Sequence, residues 1–106
     1  MVEIKEIDVQ NEIRLALSDK CTMFRINVGC FSTADGRYVS TGVPKGFTDL
    51  FGVRKSDGKA VFIEVKTPTG RVRPEQDKFI RQMQRNGAVA GVCRSPEDAL
   101  KLVEGL

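Results

Sequence analysis

The chain predicts one α/β domain over residues 1–106, a mixed central sheet flanked by helices in the order α-β-β-β-α-β-α. Three observations lead there. Apolar residues recur at helical spacing in three separate segments; short runs rich in β-branched residues lie between them; and strands and helices are interleaved rather than segregated. No repeat, linker or low-complexity stretch divides the chain.

From about Ile4 to Ser18 the residues Val9, Ile13, Ala16 and Leu17 form a helical stripe. Glu6 and Gln10 fall inside that stripe, whereas Asp8 and Glu12 fall outside it and read as solvated charge. A helix capped at Asp8 instead would leave Glu6 outside. Cys21 to Phe31 reads as a strand closing near Gly29. A turn-rich segment, Ser32 to Val43, holds a short Tyr38-Val39 element, and the loop from Thr41 to Thr48 delivers the chain to Asp49 and a strand over Leu50–Arg54. Asp57-Gly58 is a two-residue hairpin signal. The strand Ala60–Lys66 follows, then a loop with Arg71 and Arg73. Pro74 opens a helix that stops at Gly87. A strand over Ala88–Cys93 and a helix capped by Ser95-Pro96-Glu97-Asp98 complete the chain.

The composition, 41% hydrophobic and 29% charged, is that of an ordinary globular protein. A chain of this length buries roughly 65% of its unfolded surface without a structural metal. No stretch has the length of a membrane span or the layout of a signal peptide, so a cytoplasmic protein is expected. The net charge of +3 is compatible with nucleic acid. Cys21, Cys30 and Cys93 lack a C-x-x-C spacing and are expected to be buried free thiols. Histidine is absent, which removes histidine bases and Ser-His or Cys-His catalysis. Chemistry here must run on carboxylates, lysine, arginine and a hard metal.

The strand Ala60-Val61-Phe62-Ile63-Glu64-Val65-Lys66 carries an acid and a base in an otherwise apolar run. Alternation puts Glu64 and Lys66 on one side and Val61, Ile63 and Val65 on the other. Such a pair either lies on a solvated edge or is buried with partners or a metal. A two-residue hairpin at Asp57-Gly58 pairs Ser56 with Lys59 and, counted back, Asp49 with Lys66. Asp49 then lies diagonal to Glu64, with Cα atoms roughly 7 to 8 Å apart. An odd-length loop would break this grouping. Gln76 shares the apolar face of its helix with Phe79, Ile80 and Met83, either as a core-edge glutamine or as a site residue. Lys78, Arg81 and Arg85 form a basic stripe, a solvated face or an extension of Arg71 and Arg73. Two or three carboxylates with a lysine suit metal-assisted phosphodiester hydrolysis, with Mg²⁺ on oxygen ligands.

Asp49 followed by Glu64-Val65-Lys66 resembles the D...E-x-K signature of the PD-(D/E)XK nuclease superfamily. The wider pattern comprises Glu6 with Gln10, Arg25-x-Asn27-x-Gly29, Gly42-x-Pro44-x-Gly46-x-x-Asp49-Leu50, Phe62 to Lys66, Gly70, Glu75-Gln76 and Ser95-x-x-Asp98-Ala99. Together these resemble the stand-alone form of the virus-type replication-repair nuclease (VRR-NUC) family. Thr48 stands where a proline often precedes the aspartate. The resemblance implies a restriction-endonuclease-like core, dependence on Mg²⁺ or Mn²⁺, cleavage of branched DNA such as Holliday junctions, and a homodimer. It also implies a role in DNA recombination or repair in a bacterial or phage-infected cell. Asp49, Glu64, the Val65 carbonyl and Glu6 would be metal ligands, Lys66 the base-side residue and Gln76 a supporting residue. For the helical acid, facing favours Glu6 over Glu12. Lys45, Arg71, Arg73, Lys78, Arg81 and Arg85 are the expected phosphate contacts. The competing expectation is a non-catalytic DNA-structure-binding module with the same fold. A small basic scaffold protein is the third.

Overall fold

A computed structural model describes residues 4–105, and of Cys30 and Phe31 the backbone alone. Helix α1 (Glu6–Ala16) starts from Lys5, so Glu6 is helical and the alternative start at Asp8 is not taken. Val9, Gln10 and Ile13 are buried along it, and Leu17 follows at its end. After β1 (Cys21–Arg25) come β2 (Cys30–Ser32), β3 (Tyr38–Ser40), β4 (Leu50–Arg54), β5 (Ala60–Val65), α2 (Pro74–Arg85), β6 (Val89–Cys93) and α3 (Pro96–Glu104). The expected order therefore gains two short strands.

The strand expected over Cys21–Phe31 is divided, and the reason lies in its partner. β1 pairs with β4 as far as Arg25 opposite Leu50, and Ile26 N–H still donates to the Asp49 carbonyl at 2.8 Å. Beyond that point β4 has ended, leaving no ladder to continue. The chain turns at Gly29 and forms a separate antiparallel ribbon, β2 with β3, closed through Thr33, Asp35 and Arg37.

The main sheet has the order β1-β4-β5-β6, antiparallel except for the parallel β5–β6 pair. Alternation sorts its side chains onto two helical layers. Leu50, Val61, Ile63, Val65 and Cys93 pack on one face with Val9, Ile13, Ala99 and Val103 from α1 and α3. Phe62 and Ala90 pack on the other with Ile80 of α2. Cys21 and Cys93 are buried free thiols; the side chain of Cys30 lies outside the described residues.

The hairpin between β4 and β5 differs from the two-residue turn. Its loop runs from Lys55 to Gly58, and Arg54 N–H donates to the Lys59 carbonyl at 2.9 Å. A type I′ turn needs positive φ at both central residues, yet no described non-glycine residue has one, and only Gly58 does here, at 76°. Asp57 is instead gripped by Arg54, with Nε to Oδ1 at 3.0 Å and Nη2 to Oδ2 at 2.6 Å, and its Oδ1 accepts the Lys59 N–H. The longer loop slides the register so that Leu50 faces Ile63, and Asp49, one step earlier, stands directly across from Glu64 instead of Lys66. Because the loop keeps an even length, Asp49 stays on the Glu64 face.

The segment leading into β4 is held by aromatic packing. Phe47 meets Phe79 at 4.8 Å between ring centroids and Phe62 at 5.7 Å. Gly46 lies against the start of α2: a Cβ there would sit 2.5 Å from the Glu75 carbonyl oxygen, and φ is 94°. Gly58 has a similar positive φ and open space around it. Gly58→Ala is therefore expected to cost about 1 to 2 kcal/mol from the left-handed backbone alone. Gly46→Ala should cost several kcal/mol, because the clash adds to it. Urea unfolding of both variants measures the difference, and equal costs would contradict the packing described.

Candidate active site

β5 lies between β4 and β6, so Glu64 is buried, not on a solvated edge, and Lys66 just past the strand end is buried with it. The side chain of Glu64 is 1% exposed and that of Lys66 10%. Glu64 Oε2 accepts a hydrogen bond from Gln76 Nε2 at 3.0 Å and faces Lys66 Nζ at 3.4 Å. Its other oxygen, Oε1, is buried and meets no donor. Gln76 cannot turn its amide round, because its Oε1 accepts the Arg73 N–H at 2.9 Å, which leaves the NH₂ for Glu64.

Asp49 precedes β4, and its Oδ2 accepts the Val65 N–H at 2.9 Å. That bond ties the aspartate across the gap to β5. Glu6 arrives from the first turn of α1. One oxygen from each of Glu6, Asp49 and Glu64 lies within 4.8 Å of the other two. Burial is the main force on the Glu64 carboxyl, followed by the charge of the neighbouring Asp49; they push it up to about 8 against the pull of Lys66. Glu6 is raised for the same leading reason, then by Asp49, with Lys66 and Arg73 opposing.

Three carboxylates so close cannot all ionise cheaply without a cation. The donors are hard oxygens, and Glu64 Oε1 is a buried acceptor aimed at no protein group. That donor set fits Mg²⁺ or Mn²⁺, not a soft metal.

Five of the sequence-predicted residues, Glu6, Asp49, Glu64, Lys66 and Gln76, are thus brought together. Glu12 is exposed, on the outer face of α1. At Val65 the amide is held by Asp49. Among the cations, Arg73 caps α2 beside the site, and it lines one groove with Lys45, Val28, Gly29, Ser40 and Val43. Lys45 lies 3.9 Å from Glu75. Arg71 is exposed on the loop between β5 and α2. Lys78, Arg81 and Arg85 leave the site along exposed α2, which carries the last of them about 16 Å down the axis. Arg81 is paired with Asp77 at 2.9 Å.

Sequence reasoning missed Arg94. The parallel register sets Val65 beside Cys93, so Lys66 and Arg94 are the first residues past neighbouring strand ends. Carboxyl ends of parallel strands are where α/β folds place their sites. Pairing the segment at 60–65 with that at 89–93 would have pointed to it.

The family model of the VRR-NUC domain matches residues 10–97, a span that holds Asp49, Glu64, Lys66 and Gln76 but not Glu6. A solved structure described as a VRR_NUC domain superposes with a TM-score of 0.66. It covers 96% of this chain and 97% of its own, at 24% sequence identity. That likeness supports the restriction-endonuclease-like fold. A search of curated proteins found no match.

A carboxyl held above its ordinary value stabilises the fold while protonated. For Glu64 the contribution is complete below 4.5 and is lost as pH rises through about 8. In chelator, the melting temperature is therefore expected to fall between about pH 5 and pH 8. Glu64→Gln should flatten this slope and melt several degrees higher at the upper end. A wild-type melting temperature that climbs across the interval would contradict the assignment.

Proposed function

We propose a specific activity from one premise: the chain belongs to the VRR-NUC domain family, a nuclease family whose role implies DNA binding. The activity is metal-dependent endonucleolytic cleavage of branched DNA, Holliday junctions among its substrates. The observation that carries it is the meeting of Glu6, Asp49 and Glu64 oxygens within 4.8 Å, with Lys66 Nζ 3.4 Å from Glu64.

In this reading Asp49, Glu64, Glu6 and the Val65 carbonyl hold Mg²⁺, for which Mn²⁺ substitutes. Bound there, the cation supplies positive charge that acidifies water and offsets the charge of the scissile phosphate. Lys66 stands at the exit of β5, where its ammonium orients the attacking water and stabilises charge developing on the phosphate. The water oxygen forms a bond to phosphorus as the bond to the leaving deoxyribose oxygen breaks; the attacking water releases its proton to solvent and the leaving oxygen takes one up from solvent. Gln76 keeps Glu64 in one rotamer, since its amide is locked by the Arg73 N–H. Lys45, Arg71 and Arg73 bind phosphates near the cut, and Lys78, Arg81 and Arg85 extend that track along α2. A homodimer would present two such sites to the two sides of a junction.

Incubation with a four-way junction and Mg²⁺ tests this. Glu64→Ala and Lys66→Ala are each expected to lose at least about a hundredfold in rate, Gln76→Leu about ten- to a hundredfold, and chelation all activity. Full activity in either alanine variant overturns the mechanism. Salt-dependent binding without cleavage by the wild-type protein would favour the DNA-binding module instead.

We also expect Mg²⁺ to raise the melting temperature most at about pH 8, where Glu64 gives up its proton, and least at about pH 5. Thermal melts with and without the ion check this; a shift that does not grow with pH would count against these carboxylates as ligands.

A further inference from the structure

We propose that Arg94 is a positioning residue that locks the Thr67–Gly70 turn, and through it Lys66 and the basic segment at Arg71 and Arg73. One nitrogen, Nη1, donates to the Thr67 carbonyl at 2.7 Å and to the Gly70 carbonyl at 2.7 Å, with the Pro68 carbonyl at 3.5 Å. Three carbonyls turned to one point repel one another, and a charged donor among them converts that repulsion into charge-assisted bonds. The turn itself closes by Gly70 N–H to the Thr67 carbonyl at 3.1 Å.

The anchor for this clamp is rigid. Arg94 N–H donates to Asp98 Oδ2 at 2.9 Å, and Asp98 N–H donates to Ser95 Oγ at 3.1 Å, so the start of α3 fixes the backbone that carries the guanidinium. On the other side the clamped turn folds back on the lysine. A Cβ added at Gly70 would lie 3.5 Å from Lys66 Cβ, and Lys66 N–H donates to the Cys93 carbonyl at 3.1 Å. Arg94 and Lys66 thus follow paired residues of β6 and β5, and the arginine spans from one strand end to the loop leaving the other. No ion pair of Arg94 with a carboxylate is found among the described residues, so its charge is directed at the loop.

The consequence for cleavage rests on the endonuclease reading above; the locking of the turn does not. Arg94→Met keeps the aliphatic stem and removes the donors. Amide exchange at Gly70, whose N–H closes the turn, is expected to accelerate at least about tenfold relative to wild type, with exchange in β4 unchanged. On a four-way junction with Mg²⁺, the single-turnover rate at saturating protein should fall about ten- to a hundredfold, the size typical of partners that orient a site. The junction Kd should stay within a fewfold, and its slope against salt should not change. Added guanidinium ion at millimolar concentration should restore part of the rate.

Unchanged exchange at Gly70 overturns the proposal whether or not the protein cleaves DNA. A rate loss explained wholly by weaker binding, with a salt slope smaller by about one, overturns it in favour of a direct phosphate contact. If the wild-type protein cleaves no substrate, the endonuclease reading fails and the exchange measurement alone decides the role of Arg94. Should Arg94→Met not fold, Arg94→Lys takes its place. Its ammonium sits one bond short of the Nη1 position, so faster exchange at the turn and a severalfold slower cut are expected, and wild-type values for both overturn the proposal.

Discussion

Glu64 places a carboxylate on a strand that is hydrogen-bonded on both sides, with one oxygen that meets no donor. In low-dielectric surroundings an isolated anion of that kind is too costly to keep ionised and titrates upward. The neighbours of Glu64 answer this cost only in part. Gln76 donates to one oxygen and Lys66 faces the same one, while Asp49 and Glu6 add negative charge. The arrangement is electrostatically incomplete as protein alone, and its oxygen donors are of the kind a hard cation would balance.

Holding that incomplete site in place takes two separate devices. The first is register: Asp49 is useful only opposite Glu64, and its bond to the Val65 amide locks the alignment that the hairpin delivers. The second is the pair of apolar layers on the two faces of the sheet. Ile63 and Val65 are wholly buried against α1 and α3, while Phe62, Phe47 and Phe79 seat α2 on the opposite side. α1 thereby brings Glu6 to the acid cluster and α2 brings Gln76.

Sequence pattern and chain topology contributed differently to these features. Period-two alternation in 60–66 separated Glu64 from Ile63 and Val65, and helical periodicity separated Glu6 and Gln10 from Asp8 and Glu12; both separations hold in the structure. The same local signals overran at 21–31, where β-propensity continues past the point at which β4 has a backbone to offer. They also misjudged the Asp57-Gly58 turn, since a side-chain grip by Arg54 outweighed the dipeptide preference.

What the amino-acid sequence determined by itself was membership of a face: which acids, lysine and glutamine point inward, because side-chain direction follows from spacing within one element. The family pattern added which of them belong together. Only the tertiary structure decided who stands opposite whom. Asp49 facing Glu64, the amide of Gln76 turned by Arg73, and Arg94 beside Lys66 all depend on pairing between elements distant in sequence. Loop length and strand register set that pairing, and a local pattern carries no information about either until the partner strand is in place.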